Sequence, residues 1–89
     1  MNKLMKKMFE ERDDFMGYVW MIKDCTDPTV KAHLKQIAEQ ELHHYKHLYD
    51  IVFAGAEKNH LSHLEEGIYE YALSEYQHML KKLEEIKVL

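Results

Sequence analysis

Apolar residues recur along the chain at alternating intervals of four and three, the spacing of one face of an α-helix. No segment alternates apolar and polar residues at period two, so the pattern predicts no strand. Residues 24–28 and 54–59 interrupt the pattern, and Asp27 followed by Pro28 is typical of a helix start. We therefore predict one all-α domain over residues 1–89, with helices at 3–25, 28–54 and 60–87.

Three potential metal ligands interrupt the apolar stripes of the first two helices. Glu11 interrupts the first stripe, and a Glu-x-x-His pair, Glu41 and His44, interrupts the second. Because Glu11 lies 15 residues before Thr26 and Glu41 lies 13 residues after Pro28, an antiparallel hairpin places them at one level, about 20 to 24 Å from the turn. The two stripes are Leu4, Met8, Glu11, Phe15, Tyr18 and Ile22, and Val30, Leu34, Ile37, Glu41, His44, Leu48 and Ile51.

The charge of a buried carboxylate must be balanced by a metal ion, a proton or an arginine, because unpaired burial costs several kcal/mol. Arg12 is the only arginine, and it lies about 100° around the helix from Glu11, so a metal ion is the better candidate. Two hairpins together offer four glutamates and two histidines, the ligand set of di-iron carboxylate bundles. We therefore predict that two antiparallel hairpins dimerise into a ferritin-like four-helix bundle, which would also cover their apolar stripes.

Charge and composition narrow the range of partners. The net charge is −4 and the lysines are scattered, which argues against nucleic acid. No apolar run approaches the roughly 20 residues of a membrane helix, and the N-terminus has no signal-peptide core, so we expect a cytoplasmic protein without a membrane partner. Cys25 is the only cysteine, which excludes an intrachain disulfide and a metal site built from cysteines of one chain.

The turn at residues 26–28, with Glu11 seventeen residues before its proline and Glu41-x-x-His44 beginning thirteen residues after it, resembles the encapsulated-ferritin family of half-ferritins. The similarity covers about residues 8 to 52. It implies a di-iron centre between two subunits that oxidises Fe(II) to Fe(III), with Glu11, Glu41 and His44 as ligands. It also implies that the homodimers assemble further into rings.

The resemblance assigns roles to residues beside the ligands. Tyr18 matches an aromatic residue near the centre, and Glu10 and Asp13 match acids that line the approach to it. Family members are directed into an encapsulin shell by a flexible tail rich in glycine and leucine, whereas residues 84–89 have a different composition. Residence in an encapsulin compartment is therefore an expectation from the family alone.

Other interpretations stay open beside a ferroxidase acting in iron storage or detoxification. Glu75 and His78 form a second Glu-x-x-His pair on the third helix, which would allow a single chain to complete a centre. A non-enzymatic helical oligomerisation module would use its acids and histidines for specificity only. A rubrerythrin-like, peroxide-reducing di-iron protein would use the same ligands, although the chain has no Cys-x-x-Cys element to donate electrons.

Overall fold

A computed structural model describes residues 3–54 and 63–89, and these residues form three α-helices. They are α1 (Lys3–Asp24), α2 (Pro28–Val52) and α3 (His63–Lys87). Because these two ranges contain helices and no strand, the prediction of an all-α fold is confirmed. The predicted start of the third helix at residue 60 lies outside the described residues. None of the helices in the described ranges is both long and apolar enough to cross a bilayer.

The turn between α1 and α2 is fixed by a side-chain cap. Asp27 has extended backbone angles (φ −86°, ψ 117°), and its Oδ1 accepts hydrogen bonds from the backbone N–H groups of Thr29 (2.9 Å) and Val30 (3.1 Å). Pro28 occupies the first turn, where its missing N–H leaves no hydrogen bond unmade. This cap reverses the chain, so that α1 and α2 share the largest helix–helix interface.

The third helix packs against the hairpin and runs parallel to α1. In the N-terminal half of α3, the buried Tyr45 hydroxyl of α2 donates a hydrogen bond to the Ala72 carbonyl at 2.6 Å. At its C-terminal end, Lys35 of α2 donates to the Lys87 carbonyl at 3.4 Å, a favourable place for a cation. The core that results contains Met8, Phe15, Val19, Ile22, Ala38, Leu42, Tyr45, Tyr49, Ala72, Met79, Leu83 and Ile86.

The residues that α2 buries are not those of the stripe seen in its sequence. They lie about 100° around the helix from that stripe, because α3 covers the side of α2 that carries the tyrosines; they are Ala38, Leu42, Tyr45 and Tyr49. Val30 and Ile51, at the two ends of the stripe, are each 47% exposed, as is Leu4 at the start of the α1 stripe. The chain itself buries most of the α1 stripe, since Met8, Phe15 and Ile22 are 0% exposed. The apolar stripe residues that it leaves exposed are at the helix ends.

Replacing the capping residue tests how the hairpin is closed. Asp27→Ala removes the acceptor of two backbone N–H groups, so we expect it to lower the free energy of unfolding by about 1 kcal/mol. Asp24→Ala is the matched control: Asp24 is exposed at the end of α1, where a carboxylate opposes the helix dipole, so its loss should be neutral or slightly stabilising. Urea unfolding followed by circular dichroism measures both, and equal losses would contradict the cap.

Candidate metal centre

Glu11, Glu41 and His44 meet where α1 and α2 face each other. One ligand atom from each side chain lies within 4.8 Å of the other two. Glu11 comes from α1, and the other two residues lie one turn apart on α2. In the part of the chain that the structure describes, this is the one group of three or more histidine, cysteine, aspartate or glutamate side chains arranged in this way.

The three side chains extend from the interior to the surface. The Glu11 side chain is only 9% exposed, Glu41 is half-buried, and the His44 side chain is 60% exposed. Glu11 thus lies within the helix interface, while the imidazole marks the edge at which the group opens to solvent. A ligand or a second chain could reach the group from that edge.

Glu11 is the charged member of the carboxyl pair. Its Oε1 lies 3.2 Å from the Nζ atom of Lys7, and its Oε2 lies 3.6 Å from Nδ1 of His44. Its hydrogen bond with Glu41, followed in effect by that with Lys7, lowers the pKa of Glu11 despite the opposing effect of burial. Negative charge is therefore concentrated on this carboxylate at neutral pH.

The pKa of Glu41 is shifted in the opposite direction. Burial, together with the hydrogen bond to Glu11 and repulsion from its charge, raises the pKa of Glu41 to about 7. The Oε2 atom of Glu41 is buried and has no hydrogen-bond partner among the described residues. Two adjacent carboxyl groups therefore compete for one proton.

This donor set fits a divalent cation. A buried carboxyl oxygen without a partner, a second carboxylate and an imidazole are all ligand types used by Fe(II), Mn(II) and Zn(II). A cation bound between them would supply the positive charge that the carboxyl pair otherwise obtains from a proton and a lysine. The ligand set of one chain is incomplete, because three residues cannot fill the coordination sphere of such an ion.

Lys7 is the participant that sequence reasoning missed. The sequence predicts a metal ion, a proton or an arginine as the group that balances the buried charge, and the structure adds a lysine, 3.2 Å from Glu11. The signal was present in the sequence, because Lys7 lies four residues before Glu11 on the same helix. This i,i+4 spacing is the usual one for ion pairs along a helix.

Arg12 and Glu75 belong to the contact between α1 and α3. The Nη1 atom of Arg12 donates a hydrogen bond to the Tyr71 hydroxyl at 2.7 Å and lies 3.4 Å from Oε2 of Glu75. His78, the other half of the second Glu-x-x-His pair, is exposed. The structure therefore does not bring Glu75 and His78 into the group formed by α1 and α2.

The residues given accessory roles lie beside the group and outside it. Tyr18 is half-buried and packs against the core, while Glu10 and Asp13 are exposed. Asp13 accepts hydrogen bonds from Nε and Nη2 of Arg12, at 3.1 and 2.9 Å, so its carboxylate is directed towards that guanidinium. The roles of these three residues in iron approach or redox chemistry stay predictions.

Comparisons of the chain with models of protein families, with curated proteins and with solved structures find no match. The resemblance to encapsulated ferritins therefore stays a prediction that depends on the residues quoted for it. Any functional conclusion must consequently come from the geometry of Glu11, Glu41 and His44.

The raised pKa of Glu41 predicts how the stability of the metal-free protein depends on pH. The pKa is about 7 in the folded chain, against an ordinary value of 4.5. Below pH 4.5, Glu41 is protonated in both the folded and the unfolded chain, so its ionisation does not affect stability. Between the two values the unfolded chain releases a proton that the folded chain retains, so this contribution to stability falls as the pH rises and is fully lost above pH 7.

Glu41→Gln keeps the shape of the protonated acid and removes the ionisation. At pH 8, without metal, we expect it to be more stable than the wild type by about 1 to 2 kcal/mol, allowing for partial exposure to solvent. The difference should shrink towards about pH 5. Glu39→Gln, at a half-buried acid two residues earlier on α2, should show no such trend. Urea unfolding in chelator would contradict the account if both glutamines behaved alike.

Proposed function

We propose that this protein oxidises Fe(II) to Fe(III) at a two-metal centre shared by two copies of the chain, in iron storage or detoxification. One observation carries the proposal: Glu11, Glu41 and His44 converge within 4.8 Å, and a buried oxygen of Glu41 has no partner among the described residues. A carboxyl pair with an adjacent imidazole favours iron or manganese over metals that prefer thiolates.

The incomplete ligand set supports a centre formed by two chains. One chain offers two glutamates and one histidine, which is half of the four glutamates and two histidines of a di-iron carboxylate bundle. A second copy related by a twofold axis would present the same three residues to the same ions, because such an interface pairs identical surfaces. The exposed side of His44 is where those residues would arrive.

The uncovered apolar residues support the same arrangement. Leu4, Val30 and Ile51 are each 47% exposed, and they belong to the stripes that contain the three ligands. A second hairpin packed beside His44 and over these exposed stripe ends would form a four-helix bundle and remove their apolar surface from water. The contacts of α3 involve the tyrosine side of α2, so the third helix would remain at the outside of the bundle.

The reaction uses Fe(II) as substrate. Two Fe(II) ions release one electron each, and the two electrons with two protons reduce dioxygen to hydrogen peroxide, or hydrogen peroxide to two water molecules. Glu11 is already ionised and would attract the ions, while Glu41 would release its proton to solvent and add a second negative charge. The imidazole of His44 would contribute a nitrogen donor and limit the net negative charge of the centre.

Removing one ligand should abolish iron oxidation without preventing folding. We expect Glu41→Ala to reduce the oxidation rate to that of Fe(II) in buffer, because both chains of the dimer lose a carboxylate at once. Its metal-free form should be as stable as the wild type or more stable, since the buried Oε2 atom, which has no hydrogen-bond partner among the described residues, is removed. Anaerobic addition of Fe(II), followed by air, allows the ferric absorbance to be measured.

Two control variants make this test specific. Glu39→Ala removes a neighbouring acid of α2, and His78→Ala removes an exposed histidine of the second Glu-x-x-His pair; both should retain the wild-type rate. Full activity in Glu41→Ala would refute the assignment. Consumption of peroxide but not of dioxygen would instead indicate a rubrerythrin-like reaction, and a stable dimer that binds no metal would indicate an oligomerisation module.

The shared centre also predicts the oligomeric state. With metal present, we expect a homodimer or a larger closed assembly of dimers at micromolar concentration, because the ligands of each ion come from two chains. Sedimentation velocity measures this directly. Leu4→Lys, which places a charge on an exposed position of the stripe, should weaken the assembly, whereas Trp20→Lys, on the opposite side of α1, should not. A metal-loaded monomer would contradict the shared centre.

A further inference from the structure

We propose that Lys7 is an internal counter-cation of the metal centre, which an incoming divalent ion must displace from Glu11. In this role Lys7 sets how tightly the centre binds metal and favours divalent over monovalent ions. The inference rests on the proposed function, since it concerns the same three ligands. It adds a residue of this chain that the ligand set does not include.

The position of Lys7 is the first support. Its Nζ atom lies 3.2 Å from Oε1 of Glu11, on the carboxylate oxygen opposite the one that faces His44. Among the described residues, no other lysine or arginine forms an ion pair with Glu11. Arg12, the adjacent cation on α1, is instead occupied by Tyr71 and Asp13. One ammonium group therefore holds the carboxylate.

Exposure of the Lys7 side chain is the second support. The side chain is 56% exposed, whereas that of Glu11 is 9% exposed. The ammonium can consequently rotate into water while the carboxylate stays fixed between the helices. Lys7 can therefore leave Glu11 without losing its own solvation, whereas the buried Glu11 carboxylate then needs the charge of an incoming ion.

Charge determines what can displace the lysine. An ion that binds Oε1 of Glu11 must replace the ammonium or accept repulsion from it at short range. A monovalent ion brings no more charge than the lysine already supplies, whereas a divalent ion brings twice that charge to the group formed by Glu11, Glu41 and His44. Lys7 therefore imposes an affinity threshold that divalent ions pass and abundant monovalent ions do not.

Titration with Mn(II) tests the proposal without any measurement of activity. The free ion is counted from its electron paramagnetic resonance signal. We expect Lys7→Met to bind Mn(II) roughly threefold to tenfold more tightly than the wild type, because a repulsive charge is removed at short range. Lys7→Gln, a second neutral variant, should show the same increase, and Lys7→Arg should restore wild-type affinity.

Lys6→Met is the matched control, because it removes one positive charge from the adjacent, exposed position of α1. Its Mn(II) affinity should stay within about twofold of the wild type, since an exposed charge at longer range is screened by salt. An equal increase in the Lys6 and Lys7 variants, or no increase in the Lys7 variants, would overturn the role of Lys7 and leave the metal centre intact. A wild-type protein that binds no Mn(II) would overturn both proposals.

Discussion

Two carboxyl groups held side by side between α1 and α2 impose the constraint on which the other features of the molecule depend. Glu11 and Glu41 cannot both be ionised there without a compensating charge. In the metal-free chain, burial and the adjacent Glu11 raise the pKa of Glu41 to about 7, so that Glu41 can retain a proton, and Lys7 lies 3.2 Å from Glu11. Both are readily released, so the same pair is suited to exchange them for a metal ion.

The third helix limits which groups of the chain can reach the carboxyl pair. It engages Arg12 through Tyr71 and Glu75, so the only arginine of the chain is unavailable to the carboxyl pair. It also covers the tyrosine side of α2, where the Tyr45 hydroxyl is bonded to Ala72. The hairpin side that carries His44 and the exposed ends of both stripes is left for another occupant, and a second copy is the occupant that would also complete the ligand set.

The hairpin and the convergence of its three ligands could be predicted from sequence because both depend on local spacing. Asp27-Pro28 marks the turn, and the distances of Glu11 and Glu41 from that turn place them at one level. The side of α2 that becomes buried could not be predicted in the same way, since it is determined by a third helix on the far side of residues 55–62. The pairing of Arg12 with Glu75 joins residues 63 positions apart, for which no spacing rule exists. Lys7 differs from these cases, because its i,i+4 relation to Glu11 can be read directly from the sequence.

The central claim is that two chains hold the metal ions jointly through Glu11, Glu41 and His44. Anomalous diffraction from crystals of the Mn(II)-loaded protein tests it most directly, because it locates the ions without reference to activity. The account predicts two anomalous peaks about 3.5 to 4 Å apart, between two hairpins related by a twofold axis and ligated by these three residues of both chains. Peaks ligated by a single chain, or located at Glu75 and His78, would contradict it.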